Sequence, residues 1–425
     1  MCNRWKIPAL NLSSVSASDV MNMIASKAIK IVIASIECVS DAAIQKAIRN
    51  LRVNYISIDE CQVMDSENGW TSFRPYVPQT WNFLRANYRK PFLLCSATME
   101  ESSMKRIMES ISIDRSKVKI LYKSPDRPNI YQQLRVYEKP LDVNNIFRYL
   151  GFLLPLVVDS SFTKCQIFNV NKHLNDVVSA WLKMELNELD IPSVSGYVVE
   201  KLSGDNYKEE KLIVLDRFKL GDCKILVSTD VAGMGTDVSG LSPTVNVGIP
   251  KTAWKFLQQC GRAGREGQTS VAVTIKFPIK GRSAPEASLR SALSADNCLR
   301  EALNSIFILD ADVDYSVVTE ERFECLEIGC DLGDNCNCES CACCSNCANE
   351  CSCQFSVKDD DEVLKNLLQL GDEYYLKVLR QIQERSLDES DDEEDQESSE
   401  EDERVDELEL SLVDLTPQFA TLFSN

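Results

Sequence analysis

Two arginines separated by two small residues, Arg262-Ala263-Gly264-Arg265, follow Gln258-Gln259-Cys260-Gly261 and precede Glu266-Gly267. A guanidinium group is planar, always charged and shaped to grip phosphate oxygens through paired N–H bonds. This spacing predicts both forks on one side of a tight loop-to-helix turn. That arrangement suits the terminal phosphate of a nucleotide, the task of an arginine finger, and an ordinary basic surface turn is the plain alternative. Upstream, Ile56-Ser57-Ile58-Asp59-Glu60 is an apolar run ending in two acids. A strand of this kind delivers Asp59 to a Mg²⁺ ion, while Glu60 orients and deprotonates the attacking water. Ser96-Ala97-Thr98 follows the next apolar run. Its hydroxyls can hydrogen-bond toward the acid pair, and they equally suit the N-cap of a helix over residues 99–102.

Further along, Val227-Ser228-Thr229-Asp230-Val231-Ala232-Gly233-Met234-Gly235-Thr236-Asp237 ends a strand in a glycine-rich loop. Gly235 allows close backbone approach to a phosphate or ribose, and Asp237 can bond a ribose hydroxyl. Trp70 and Phe73 offer stacking faces for unpaired bases and Arg74 offers a cation. Taken alone, two core aromatics beside a turn account for that segment better. Ten of the 18 cysteines lie between Cys325 and Cys353. The ladder Cys338, Cys341, Cys344, Cys347, Cys351 and Cys353 has the short spacings that bend thiolates onto one tetrahedral ion. With a single histidine, His173, any metal site must be thiolate-rich. His173 follows Asn171-Lys172 at a strand-to-helix turn and reads as solvated or capping. Disulfides and a metallothionein-like sponge are the rivals for the cysteines, and a reduced compartment disfavours the first.

The elements that must position these groups alternate strand and helix. Residues 30–34, 55–58 and 92–95 read as buried parallel strands, with helical spacing over 41–48 between them. Residues 165–168, 224–228 and 270–275 repeat the strand pattern. The alternation predicts an α/β fold with parallel sheets and right-handed crossovers. Ser124-Pro125-Asp126-Arg127-Pro128-Asn129 is Pro-punctuated and reads as a linker. Residues 362–383 read as one amphipathic helix, and from Ser386 the Ser/Asp/Glu-rich tail is predicted to stay disordered.

The net charge of −19 is concentrated in that tail, since Glu384 to Glu409 carry sixteen acids against two bases. The remainder is near balance, so overall acidity does not exclude nucleic-acid binding. No signal peptide is recognisable and no apolar run is long enough to span a membrane.

In this order the motifs resemble those of a superfamily-2 helicase, and the chain is similar to the RecQ family over roughly residues 5 to 355. Asp59-Glu60-Cys61-Gln62 stands where that family has Asp-Glu-Ala-His, and Ser96-Ala97-Thr98, Ser228 to Asp237 and Gln258 to Arg265 look like its later motifs. Trp70-Thr71-Ser72-Phe73-Arg74-Pro75 resembles its aromatic-rich loop, which couples DNA contact to ATP hydrolysis, although here it is about two residues longer. The resemblance implies two RecA-like lobes, the first partial over 1–128 and the second over 129–280. It further implies a zinc-binding module over 281–356, before the helix at 357–385 and the acidic tail at 386–425. It places Zn²⁺ on Cys298, Cys344, Cys347 and Cys351, with Cys341 as an alternative ligand. A second ion is open to Cys325, Cys330, Cys336 and Cys338. It assigns Glu60, Arg262 and Arg265 to catalysis, Asp59, Gln62, Gly235 and Asp237 to ATP and Mg²⁺, and Trp70, Phe73, Arg74, Ser96 and Thr98 to coupling with DNA. The implied activity is ATP-dependent 3′-to-5′ unwinding of DNA in repair or recombination, on single strands and duplex junctions, in the nucleus or in nucleus and cytoplasm. Protein partners are expected at the acidic tail.

That family's Gly-x-x-x-x-Gly-Lys-[Ser/Thr] phosphate loop does not occur, and the first glycine is Gly69. The expectation is therefore a truncated, catalytically incomplete helicase chain. The alternatives are a DNA-binding protein without ATPase activity and a partner-recruiting protein derived from a helicase.

Overall fold

The computed structural model describes residues 6–309, apart from 17–18, 21, 24–28, 68, 70–75, 128, 143–144, 155–163, 189–198, 231–237 and 268–269, together with 344–350. The chain divides into two compact units, one up to Pro125 with the segment from Phe307, the other from Asp126 to Ile306 with the later residues.

In the first unit the elements run β1 (Ala9–Asn11), β2 (Ile31–Ile33), α1 (Ile36–Ser40), α2 (Ala42–Ile48), β3 (Ile56–Ile58), α3 (Tyr76–Asn87), β4 (Phe92–Leu94) and α4 (Glu101–Ser110). Asp41 starts α2 by accepting hydrogen bonds from the amides of Ala43 and Ile44, which satisfies two donors that the first helical turn leaves over. β1 pairs with β2 and β3 with β4, both parallel. The expected strands are present but not buried on both faces, because Ile33 and Leu93 are about half exposed. Among the described residues these strands pack helices on one face only. There Trp81 of α3 lies 4.7 Å from Phe92, ring centre to ring centre, in a cluster with Cys61, Met64, Val77, Ile107 and Ile111.

The second unit is built on β5 (Ile130–Val136), α5 (Ile146–Leu150), β6 (Lys164–Asn169), α6 (Lys172–Glu188), β7 (Val199–Leu202), α7 (Lys208–Leu220), β8 (Ile225–Ser228), β9 (Leu241–Val247), α8 (Ala253–Cys260), β10 (Ser270–Lys276), α9 (Ala287–Ala292), α10 (Leu299–Ser305) and α11 (Ser345–Glu350). Six strands form one sheet in the order β5-β10-β9-β6-β8-β7, and every pair is parallel. The α/β expectation with a parallel sheet is met here.

Strand alternation gives this sheet two chemically different faces. Ile167, Ile225, Val227, Val245, Val247, Val271, Val273 and Ile275 join α5 and α6 in one apolar core. The opposite face carries Gln166, Ser228, Thr244, Asn246 and Thr274, all buried. Helix α8 lies on this polar face, where the Asn246 side-chain amide donates to Cys260 Sγ at 3.3 Å.

The later expectations meet the structure unevenly. Cys298 is the N-cap of α10. Thr98 does not cap the following helix, since Glu100 occupies that position. His173 is exposed at the start of α6, and the capping acceptor is Asn171 Oδ1, which receives the Leu174 amide at 2.8 Å. The expected helix over 362–383 and the tail from Ser386 lie outside the described residues.

Candidate functional site

β3 ends at Ile58 and presents Asp59 to solvent. Glu60 takes a left-handed backbone conformation, φ 52°, uncommon for a residue with a side chain and typical of sites where geometry is constrained. From there the acid is tied across the strand ends. Gln62 Nε2 donates to Glu60 Oε2 at 2.5 Å, and the Ser96 hydroxyl lies 2.7 Å from Gln62 Oε1. The same hydroxyl is 2.8 Å from the Thr98 carbonyl and accepts from the Thr98 amide at 3.2 Å. Gln62 is therefore a buried bridge between the acid pair and the Ser-Ala-Thr segment. Backbone bonds from Cys61 N to Cys95 O and from Cys95 N to Ile58 O extend the ladder to bring these groups together. Burial pushes the Cys61 thiol up to about 12, so it stays protonated beside the acids.

In the second unit α8 buries Trp254, Phe256 and Cys260. Each large apolar side chain taken out of water contributes about 1.5–3 kcal/mol to holding the helix. Its other face reaches the end of β8. Lys255 Nζ donates to Asp230 Oδ2 at 2.6 Å and Gln259 Nε2 to Asp230 Oδ1 at 3.1 Å. After Cys260 the chain turns through Gly264, φ 57°, whose amide bonds the Leu241 carbonyl. The two arginines of the turn differ in surroundings: Arg262 is buried, only 4% exposed, and Arg265 is open to solvent. Arg127 Nη2 donates to the Gly264 carbonyl at 2.6 Å, and Asn129 Nδ2 donates to the same oxygen at 2.8 Å. Burial lowers the Arg127 pKa, and the Arg265 charge lowers it further, so two cations converge on this turn. An anion placed there would relieve their repulsion.

A third group lies at the far edge of the sheet. Cys298, Cys344 and Cys347 are buried, with their sulfurs all within 4.8 Å of one another. Cys344 Sγ is 3.5 Å from Cys347 Sγ and 4.0 Å from Cys298 Sγ. Tetrahedral zinc with thiolate bonds near 2.3 Å needs sulfurs about 3.8 Å apart, and the two separations from Cys344 lie on either side of that value. The segment is held on β5, where Ser345 Oγ accepts from the Leu134 amide at 3.2 Å and Cys344 bridges Gln132.

Asp59, Glu60, Gln62, Ser96 and Thr98 thus gather in the first unit, and Arg262 and Arg265 in the second. Trp70, Phe73, Arg74, Gly235, Asp237 and Cys351 lie outside the described residues, as do Cys325, Cys330, Cys336, Cys338 and Cys341. Arg127, Asn129, Asp230 and Lys255 were not singled out by sequence reasoning. Their signal was weak: a charged pair within a linker-like segment, and a lysine and glutamine four apart on α8.

Residues 158–267, which include the arginine turn, match the family model described as helicase conserved C-terminal domain. The CshA protein of Geobacillus kaustophilus, a DEAD-box ATP-dependent RNA helicase, is 34% identical over 189 residues, 44% of this chain and 36% of the relative. CshA of Bacillus subtilis is 29% identical over 187 residues, 44% of this chain and 34% of the relative. These relatives are DEAD-box RNA helicases. The chain spans about a third of their length. Among solved structures, Mss116p bound to ssRNA and AMP-PNP superposes with a TM-score of 0.51 at 18% identity, over 75% of this chain and 57% of that one. That likeness supports a RecA-like helicase fold with a parallel sheet.

These relatives overturn the expected RecQ membership, and with it the 3′-to-5′ DNA unwinding and the repair or recombination role, and they give no support to DNA as the partner. The nuclear location falls too, because the relatives come from bacteria, which have no nucleus. The strings behind the RecQ reading, an acid pair after a strand and Gly-Arg-Ala-Gly-Arg after a helix, are of residue types suited to nucleotide phosphates, and such types do not report the polymer. The segment meant to separate the families, Trp70 to Pro75, lies outside the described residues. Among the described residues no helix is long and apolar enough to cross a membrane.

Proposed function

We propose that this chain carries the phosphate-gripping lobe of an ATP-dependent RNA helicase, with RNA as the polymer it engages. The observation that carries the reading is the arginine turn, lying within the helicase-matched residues 158–267 and braced by Arg127 and Asn129. Arg265, open to solvent, reaches the terminal phosphate, and buried Arg262 supports the turn from beneath. Asp59 holds Mg²⁺ and Glu60 aligns the attacking water. Gln62, Ser96 and Thr98 relay the state of the acid pair, and Gly235 and Asp237 meet the nucleotide's ribose. Trp70, Phe73 and Arg74 offer stacking faces and a cation to unpaired bases. The similarity to CshA proteins supports RNA as the polymer.

Binding of labelled single strands of one sequence as RNA and as DNA tests the polymer, and a fluorescent ATP analogue tests the turn. RNA should bind more tightly than DNA. Arg265→Ala should weaken the nucleotide about tenfold or more, the worth of a charge-assisted hydrogen bond. A preference for DNA, or unchanged nucleotide affinity in Arg265→Ala, refutes the corresponding half of the reading.

The thiol group is proposed to hold one zinc ion through Cys298, Cys344 and Cys347, with Cys351 as the fourth ligand. The sulfur separations support this. A zinc held there would be structural, with these thiols tying α10 and α11 to the sheet edge. Elemental analysis of the purified chain should return about one zinc, and a folded chain without metal counts against it.

A further inference from the structure

The segment joining the two units carries two adjacent charged side chains that face different partners. Arg300 of α10 donates from Nε and Nη2 to the two carboxylate oxygens of Asp126, both at 2.7 Å. Asn304, one turn on, adds Nδ2 to Asp126 Oδ1 at 2.8 Å. Both charges are nearly inaccessible, 7% and 9% exposed. The next residue, Arg127, is the one that donates to the Gly264 carbonyl and approaches the Gly261 carbonyl at 3.4 Å. These two carbonyls bracket Arg262 and Ala263, and Gly264 immediately precedes Arg265. From the other end, α10 opens on Cys298, and Asn346 Nδ2 donates to the carbonyls of Ala295 and Asn297 just before it.

We infer that Asp126 and Arg300 are positioning residues for the arginine turn: the pair fixes Arg127, and Arg127 sets the backbone from which Arg265 reaches phosphate. Physically, Arg127 is a partly buried cation beside a second cation, an arrangement that disperses unless something over-determines it. The bidentate pair one residue away supplies that constraint, because two parallel N–H bonds fix orientation as well as distance. Its functional consequence rests on the proposed phosphate role of the turn; the positioning itself does not. The relay also makes the placement of α10, and hence of the thiol group at its start, legible at the nucleotide.

The test uses the full chain with two readouts, amide hydrogen exchange over residues 261–267 and titration with N-methylanthraniloyl-ATP. Asp126→Asn and Arg300→Gln should speed exchange in that segment and weaken the nucleotide about three- to tenfold. Arg300→Lys, which keeps charge but loses the fork, should have a smaller effect. Arg217→Gln removes a different ion pair, with Glu200 at 2.9 Å, and should leave the turn unmoved. Folded Asp126→Asn with unchanged exchange over 261–267 overturns the relay. If Arg300→Gln does not fold, the near-isosteric Asp126→Asn decides alone. If Arg265→Ala does not change nucleotide affinity, the phosphate reading falls, and the exchange data still decide whether the pair positions the turn.

Discussion

Asp65 shows how single residues in this chain are held by partners far away in sequence. Its carboxylate is buried and accepts Arg106 Nε and Nη2, both at 2.7 Å, and the Ser103 hydroxyl at 2.5 Å. Burial alone would raise its pKa, but the bonds from Arg106 and Ser103 prevail and the net shift is downward. A carboxyl that titrates lower folded than unfolded stabilises the protein above its unfolded value near pH 4, and that stability is lost as pH falls through the folded value. Arg106→Ala should therefore cost about 3 kcal/mol at pH 7, because it strands a buried charge. The cost should shrink markedly at about pH 3. Urea midpoints of both proteins at the two pH values check this, and an equal cost at both would show that the charge pair is not what matters. Neither Asp65 nor Arg106 was visible in the sequence as a pair, since 41 residues separate them. Arg262 and Arg265 were visible, because charge and spacing are local. Their different burial was not, since it depends on what α8 packs against.

At the scale of elements, the strands of the second unit found by reading were the mostly apolar runs, β6, β8 and β10. Those missed in that unit were β5, β7 and β9. β5 and β7 are the sheet edges and carry polar or charged residues such as Gln132, Gln133, Glu200 and Lys201. β9 is central, yet Pro243 and the alternating Thr244 and Asn246 disguise it. Proline is tolerated there beside a register shift opposite Lys164 and Gln166. The polar alternation is the face that seats α8. Short α11 has too few turns to stand alone, and it is held on β5 through Ser345 and Cys344. If the proposed zinc site holds, Cys344→Ala with Cys347→Ala should abolish the bound metal and speed exchange of the Leu134 amide, which donates to Ser345. Retention of metal in that double variant would exclude these thiols as ligands.

For the whole molecule, charge distribution matters more than its sum. Glu384 to Glu409 hold sixteen of the 65 acids, and a polyanionic run competes with nucleic acid for the same cations. Deleting Ser386 to Asn425 should tighten RNA binding at low salt, with the gain fading as ionic strength approaches about 1 M. Binding curves across a salt series read this directly, and unchanged affinity at low salt would mean that the tail does not reach the RNA-binding surface. Sequence alone determined the parallel α/β character, the acid strand, the arginine turn and the cysteine clustering, because each is written in short-range pattern and composition. It misjudged the family, since residue types suited to nucleotide phosphates carry no information about which polymer a protein engages. Only tertiary structure decided that Gln62 bridges Glu60 to Ser96 and that Asp126 and Arg127 link α10 to the arginine turn. Those contacts join residues tens to nearly two hundred positions apart, and only the folded chain brings them within hydrogen-bonding range.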